Sequence, residues 1–240
     1  MPVAAPRPAS TVVLLRPGPR GCEVYLQKRA DTLRFAPGCY VFPGGALDPE
    51  DGAPEALARL GGEGRWVSGD PDVTPAHAVA ALRECYEEAG VLLARDAAGR
   101  PAHADAGRAA RLAAARPSVE ARGGAAAFVA LLHREALTLD GGALRYVSHW
   151  VTPSWQPLRF DTRFFLAALP DGASPGSCSG ESVEGGWWDP RAALAACEAG
   201  RMQMLRPTET MLWFLRQFDT FEEVVRACDD ASLKVEGRRG

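Results

Sequence analysis

Residues 83–91 hold the side chains with the clearest capacity for chemistry, in the order Arg-Glu-Cys-Tyr-Glu-Glu-Ala-Gly-Val. In a helix, Glu84, Glu87 and Glu88 fall within about one third of the circumference, because successive residues turn by about 100°. Carboxylates three and four residues apart repel each other by about 0.2–0.5 kcal/mol per pair. We expect no Lys or Arg of the helix to neutralise this face, so a cation from outside must stabilise it. Oxygen ligands favour Mg²⁺ or Mn²⁺, and a solvated acidic surface is the alternative.

Local signals define the helix that holds these carboxylates. Thr74 is suited to an N-cap and Pro75 to the first helical position, while Gly90 is suited to the stop. The predicted helix therefore runs from about Pro75 to Ala89. Upstream lies a turn that contains the glycine pair Gly44–Gly45, and glycines let a backbone approach a ligand or the helix closely.

The turn and the helix together resemble the Nudix box, G-x5-E-x7-R-E-U-x-E-E-x-G-U, in which U is a bulky apolar residue. Gly45 matches the first glycine and residues 83–91 match the second half. Asp51 stands where the motif has Glu, and Cys85 takes the first apolar position. The x7 spacer is 31 residues long here, so we expect the insertion, Gly52–Asp72, to form a surface loop that leaves the helix in place.

A box split in this way resembles one branch of coenzyme A-cleaving Nudix enzymes, and a second motif supports that branch. The branch carries L-L-T-x-R-S-x-x-L-x-x-H-x-G-x-V-x-F-P-G-G before its box. Read back from Gly45, this chain keeps Leu26, Arg29, Leu33, Gly38, Phe42, Pro43 and Gly44. It departs from the pattern at Tyr25, Gln27, Ala30, Ala36 and Tyr40.

The resemblance implies a Nudix fold, which is an α/β protein built as an α/β/α sandwich with a curved mixed β-sheet. The mixed order of predicted strands and helices agrees with such layers. We expect one domain over residues 1–240, with insertions near 52–72 and 95–124 and C-terminal helices within 207–230.

The resemblance also assigns roles within the box. It places metal ligands at Glu84, Glu87 and Glu88, and it adds Arg83 to the catalytic set as the residue that orients these glutamates through an ion pair. Asp51 is the expected partner of Arg83, and Asp48 and Glu50 are the alternatives.

Further candidates lie outside the helix. In this family another carboxylate often supplies a base or a metal ligand, and Glu181 or Glu184 stands in the expected segment, with two solvated acids as the alternative. Arg29 and Arg34 are candidates to grip substrate phosphates, because the planar guanidinium fork suits phosphate. The Gly44–Gly45 backbone is the remaining substrate-binding candidate.

The leading functional prediction is divalent-metal-dependent hydrolysis of a pyrophosphate bond in coenzyme A or acyl-coenzyme A. The products would be 3′,5′-ADP and 4′-phosphopantetheine or its acylated form. Bound Mg²⁺ or Mn²⁺ would screen the phosphates and lower the pKa of bound water. The alternatives are a Nudix hydrolase of ADP-ribose, NADH or a dinucleoside polyphosphate, and a non-catalytic module that senses a nucleotide. In each case the expected partner is a small-molecule nucleotide. The sequence does not decide whether the protein forms a homodimer.

Composition excludes several other classes. The net charge of −3, with no basic run, argues against nucleic acid as a partner. No apolar run approaches the ~20 residues that span a membrane. The first ten residues lack the apolar core of a secretion signal, and the C-terminus is not a peroxisomal address. Six cysteines without a Cys-x-x-Cys pair indicate reduced thiols and a cytoplasmic protein.

Two other features invite a functional interpretation. Asp161 lies between Arg159 and Arg163, which predicts a cross-strand ion pair, with a pocket role as the alternative because a similar segment occurs in the split-box branch. The tryptophans at 150, 155, 187 and 188 are interpreted as core, with stacking on an adenine as the alternative. The histidines show no metal-ligand spacing, and we assign them no role.

Periodicity and turn signals predict the remaining elements. The expected strands are 11–15, 22–28, 40–42, 146–152, 162–169 and 182–188. The expected further helices are 105–115, in a tract broken by Pro101 and Pro117, then 126–138, 190–198, 207–218 and a last one entered through the capping box at 220–223.

Overall fold

A computed structural model describes residues 4–62, 72–121, 123–176 and 180–229. The described strands are β1 (Arg7–Pro17), β2 (Cys22–Arg29), β3 (Cys39–Val41), β4 (Gly44–Ala46), β5 (Leu60–Gly61), β6 (Ala94–Arg95), β7 (Thr138–Asp140), β8 (Arg145–Val151), β9 (Phe160–Ala168), β10 (Ser182–Trp188) and β11 (Gln203–Met204). The described helices are α1 (Pro54–Leu57), α2 (Pro75–Ala89), α3 (Ala106–Glu120), α4 (Ala125–Arg134), α5 (Pro190–Glu198), α6 (Arg206–Leu215) and α7 (Phe221–Asp229). Short 3-10 helices cover Pro49–Gly52, Ala102–Ala104 and Gly141–Ala143.

A mixed sheet forms the centre of the molecule, in the order β11-β3-β2-β1-β9-β8. β1 pairs with β9 in parallel along Arg7–Leu15, and with β4 and β2 antiparallel. β2 continues past β1 to pair with β3 and, along Val24–Arg29, with β10. The sheet thus opens between β4 and β3, beside the C-terminal half of β2.

Both faces of this sheet are covered, which confirms the predicted α/β/α architecture. Val12 and Leu14 of β1 pack into a core with the apolar residues of α2, α3 and α4. Val13 and Leu15 point the other way, into a core with α5, α6 and α7. A central strand that is apolar on both faces is typical of a sheet between two helical layers.

The insertion that splits the box is more than a surface loop, which corrects our expectation for residues 52–72. Within its described part, α1 forms, and β5 then pairs in parallel with β7 through Leu60 and Leu139. β6 completes this small second sheet on the other edge of β7. The residues between Gly62 and Asp72 lie outside the described ranges.

The insertion at 95–124 also differs from its prediction. α3 ends at Glu120 and contains Pro117, so Pro117 does not break the helix as we expected. α4 ends at Arg134 instead of reaching Thr138, because Ala136 takes a positive φ of 52° and the chain then enters β7. The other predicted strands and helices form with small shifts at their ends.

Two further predictions concern the cysteines and the membrane-spanning segments. The five described cysteines are free thiols, while Cys178 lies outside the described residues. Among the described helices, none combines the length and apolar character that a bilayer crossing demands.

Candidate active site

Helix α2 is fixed at both ends. At the start, Thr74 is the N-cap, Pro75 follows, and the Thr74 backbone N–H donates to Nδ1 of His77 at 3.2 Å. At the end, Gly90 adopts the left-handed conformation with φ 71°, as the sequence predicted. The carboxylates of α2 therefore stand on a helix with a defined start and stop.

Arg116 of α3 binds the end of α2. Its Nε donates to the carbonyl of Glu87 at 2.8 Å, and its Nη2 donates to the carbonyl of Glu88 at 2.9 Å. Glu120 pairs with Arg116 at 2.7 Å. A cation at a helix C-terminus satisfies carbonyls that have no partner in the helix and opposes the helix dipole. The insertion at 95–124 therefore holds the segment that presents Glu87 and Glu88.

The glycine pair lies against α2, as predicted from its backbone freedom. A Cβ at Gly45 would stand 2.5 Å from Oε1 of Glu84, and one at Gly44 would stand 2.5 Å from Oγ1 of Thr11. These separations leave no room for a side chain. The glycines let β4 fit between β1 and the carboxylates of α2.

Arg83 connects the two halves of the box. Its Nε and Nη2 donate to the two carboxylate oxygens of Asp51, each at 2.8 Å, and both side chains are almost fully buried. The aspartate therefore reaches Arg83 although the motif has the longer glutamate. The pair forms across 32 positions of sequence.

The expectation that no Lys or Arg of the helix neutralises the acidic face is wrong, because Arg83 of α2 contacts two of its glutamates. Its Nη1 donates to Glu84 at 2.8 Å and to Glu87, four residues on, at 3.0 Å. Arg83 is thus a positioning residue that holds three carboxylates at once.

Glu88 is held by a separate set of donors. Its Oε2 accepts from the backbone N–H of Gly44 at 2.8 Å and from Nε2 of Gln27, which lies 61 positions away on β2. Burial raises the pKa of Glu88 to about 7, while these hydrogen bonds and Arg29 act in the opposite direction. Glu88 is therefore a buried side chain that contacts both β4 and β2.

Burial also makes ionisation of the other two box glutamates unfavourable. It raises the pKa of Glu84 against the lowering effect of Arg83, and the charges of Glu88 and Glu87 raise it further. Burial likewise raises the pKa of Glu87, again against Arg83. A single arginine therefore does not offset the burial and the mutual repulsion of these carboxylates.

The residues fit a divalent cation by donor chemistry. In the hydrogen bonds among described residues, Glu84, Glu87 and Glu88 each use only one carboxylate oxygen. The second oxygens are hard ligands of the type that Mg²⁺ and Mn²⁺ prefer. Among the described residues, however, no three His, Cys, Asp or Glu side chains already converge as a complete metal cage.

The candidate residues outside α2 have different surroundings in the structure. Arg29 donates from Nε to the Phe35 carbonyl at 3.1 Å and pairs through Nη2 with the exposed Glu181 at 3.3 Å. The charge of Arg29 lowers the pKa of Glu88, and the charge of Glu181 raises it. Glu184 instead accepts from the Tyr40 hydroxyl at 3.0 Å, and Arg34 is exposed on the segment after β2.

The second sequence cluster is an ion-pair network on β8 and β9. Asp161 pairs with Arg163 and, across the strands, with Nε2 of His149. The arginine partner of Asp161 is therefore on its own strand, and the contact across the strands is made by a histidine, which the sequence did not predict. Trp155 is exposed, which corrects its assignment to the core, whereas Trp150, Trp187 and Trp188 pack against the cores.

Sequence reasoning missed two residues at the site. Gln27 was visible only as a departure from the threonine of the family pattern, and its full burial is evident only from the structure. Arg116 lay in an Ala/Arg-rich tract that offered no distinguishing pattern.

A split box rejoined by an ion pair, on a helix that packs on a mixed sheet between two helical layers, defines the class of this protein as a Nudix hydrolase. The chain belongs to the family described as NUDT19 Nudix domain, whose model matches residues 68–209. That match includes the second half of the box.

Individual relatives agree with this family. A crystal structure of a NUDIX hydrolase from Alicyclobacillus acidocaldarius is similar with a TM-score of 0.78 and 36% identity, over 93% of this chain and 96% of that one. The acyl-coenzyme A diphosphatase NUDT19 of Homo sapiens is 31% identical over 68% of this chain and 52% of its own length. The Gallus gallus protein of the same name is 25% identical over 90% of this chain and 67% of its own length. The chain thus spans between about half and two thirds of these two relatives.

Proposed function

We propose that this protein hydrolyses the pyrophosphate bond of coenzyme A or an acyl-coenzyme A, with a divalent cation bound by the glutamates of α2. The products would be 3′,5′-ADP and 4′-phosphopantetheine or its acylated form. The observation that carries the proposal is the joining of the two halves of the box by the Asp51–Arg83 pair, beside the buried Glu84 and Glu88 and the partly exposed Glu87, all three with raised pKa.

Each box residue has a distinct task in this proposal. Glu84, Glu87 and Glu88 would supply oxygen ligands to Mg²⁺ or Mn²⁺, which screens phosphate charge and makes a water molecule more acidic. Arg83 would hold the Glu84 and Glu87 side chains in place through hydrogen bonds from Nη1, so that they need little reorganisation when the cation binds. The burial that raises their pKa also strengthens their attraction to a cation, because less water screens it.

The substrate is inferred from the opening of the sheet beside β2. Arg29 lies there with its guanidinium against Glu181, and a diphosphate could replace this exposed carboxylate as the partner of Arg29. Coenzyme A is favoured by the sequence motif before the box and by the names of the two acyl-coenzyme A diphosphatases. ADP-ribose, NADH and dinucleoside polyphosphates share the diphosphate and are the competing substrates.

A substrate panel tests the proposal. Purified protein with Mg²⁺ or Mn²⁺ is given coenzyme A, an acyl-coenzyme A, ADP-ribose, NADH and a dinucleoside polyphosphate, and products are separated by chromatography. We expect the highest kcat/KM for coenzyme A or its acyl form. A clear preference for ADP-ribose would refute the substrate and keep the reaction class, whereas binding without turnover of any compound would support the sensor alternative.

Variants of α2 test the site. Glu87→Gln and Glu88→Gln should each lower kcat/KM by about 100-fold or more, in line with the loss of about 3 kcal/mol for one electrostatic catalytic group. Glu55→Gln, on the exposed surface of α1, is the matched control and should retain activity. Near wild-type turnover by a double Glu87→Gln, Glu88→Gln variant would contradict the assignment of the metal site.

A further inference from the structure

Gln27 is an unusual residue for the middle of a sheet. It is fully buried on β2, between strands β3 and β10. Its Nε2 donates to Oε2 of Glu88, the same oxygen that accepts from the N–H of Gly44. Two donors therefore hold one oxygen of Glu88, and the other oxygen stays available.

The carbonyl end of the Gln27 amide has no comparable partner. In the part of the chain that the structure describes, Oε1 of Gln27 is buried and accepts no hydrogen bond. A buried acceptor without a donor is destabilising, and native proteins rarely keep one unless it serves a ligand or a water molecule. Beside an ionised Glu88 the amide must present Nε2, because turning it over would place two acceptors, Oε1 and the Glu88 carboxylate, against each other.

The chemistry of the unpaired atom restricts what can bind there. An amide oxygen accepts hydrogen bonds and donates none, so the oxygens of a phosphate gain nothing from it. A water molecule can donate one proton to Gln27 Oε1 and keep its second proton and its lone pairs for other groups. The neighbouring Glu88 carboxylate accepts the second proton or shares a cation with the water.

We propose that Gln27 is a positioning residue of the hydrolytic site, which orients Glu88 through Nε2 and holds a water molecule through Oε1. This inference rests on the proposed function, because it places the water beside a carboxylate assigned to the cation. It also accounts for the departure from the threonine of the family pattern. A threonine carries a single hydroxyl oxygen, so it lacks the separate donor and acceptor atoms of an amide.

Gln27→Met tests the proposal, because methionine has nearly the same shape and lacks both polar groups. We expect the Mn²⁺ affinity of the metal-free protein, measured by titration calorimetry, to fall about 10- to 100-fold, as for other groups that orient metal ligands. With the best substrate of the panel, kcat should fall at least as much while KM changes less than about threefold. The thermal midpoint of the metal-free variant should change little, because the loss of the hydrogen bond to Glu88 is offset by the removal of the unpaired acceptor.

Two further variants separate the roles of the amide. Gln27→Glu keeps an acceptor, loses the donor to Glu88 and adds a negative charge, so kcat should fall although the Mn²⁺ affinity does not. Trp150→Phe is the control, because Nε1 of Trp150 is also buried and unpaired in the described structure but lies on β8, remote from Glu88. This control should leave Mn²⁺ affinity and kcat unchanged.

The outcomes distinguish this inference from the proposed function. Mn²⁺ affinity and kcat within about twofold of wild type in Gln27→Met would overturn the role of Gln27, and so would a lowered thermal midpoint with unchanged Mn²⁺ affinity. If the wild type binds Mn²⁺ but hydrolyses no compound of the panel, the function fails while the affinity comparison still decides the role of Gln27. Absence of Mn²⁺ binding to the wild type would overturn both.

Discussion

The contact between Asp51 and Arg83 gives a prediction with a magnitude that follows from the structure. Their side chains are 1% and 3% exposed, and two hydrogen bonds of 2.8 Å join them. Removal of one partner of a buried pair costs about 3–5 kcal/mol, because the remaining charge is left without its partner. Arg83 keeps Glu84 and Glu87 as partners, so we place Asp51→Ala at the lower end, about 3 kcal/mol.

The assay is thermal and chemical unfolding of the metal-free protein. For a chain of this size, a loss of about 3 kcal/mol lowers the melting temperature by about 6–12 °C. Asp219→Ala is the matched control, since Asp219 also pairs with an arginine but is 86% exposed in its side chain. That control should change stability by less than about 0.5 kcal/mol.

Glutamate, which the motif has at position 51, provides a second test of the same reasoning. Asp51→Glu adds a methylene where the aspartate already contacts Arg83 at 2.8 Å and where Asp48 N–H donates to it at 2.8 Å. Overpacking of a buried site costs about 1–3 kcal/mol, so the consensus glutamate should destabilise this chain. If Asp51→Ala behaved like Asp219→Ala, or if Asp51→Glu raised the stability, the reasoning from this buried pair would be refuted.

Three further predictions follow from the site and its supports. Arg116→Met should lower kcat at least tenfold with little change in KM, because the α2 carbonyls lose their donors; unchanged kcat would contradict its positioning role. Gly45→Ala should force the Glu84 carboxylate to move and lower Mn²⁺ affinity in calorimetry, whereas Gly180→Ala, where no atom lies within 4 Å of the added Cβ, should not. Burial lowers the pKa of His103 in the folded protein below its ordinary value of about 6.5. The unfolded chain therefore binds the proton more tightly than the folded protein does. The stability that is present above about pH 6.5 is lost as the pH falls. Unfolding titrations from pH 7.5 to 5 should therefore show a smaller loss for His103→Gln than for wild type, and equal slopes would refute this.

The parts of the fold governed by local signals could be predicted from sequence. The cap at Thr74, the stop at Gly90 and the alternation in β1 act within a few residues, and each forms as expected. The Asp51–Arg83 pair was also predictable, because the motif names both positions. The break expected at Pro117 was wrong, since α3 continues to Glu120, and α3 also contacts α2 through the Tyr86 hydroxyl, which donates to the Leu112 carbonyl.

The remaining parts of the site depend on contacts between distant residues. Gln27 meets Glu88 across 61 positions, and Arg116 meets the Glu87 carbonyl across 29. No periodicity or motif encodes such a pairing, because it arises only when the sheet and α3 are packed. The balance of charge around α2 was misjudged because Arg83 was treated as a partner of the turn alone.

The contact that joins the halves of the box also explains why its interruption is tolerated. Loop-closure entropy grows by about 0.6 kcal/mol for each doubling of length, so a spacer of 31 residues in place of seven adds about 1.3 kcal/mol. That penalty is smaller than the about 3 kcal/mol that the loss of Asp51 from the buried pair would cost. The two halves of the Nudix box are therefore far apart in sequence and adjacent in the structure. A search for the motif as one continuous segment would miss proteins of this kind.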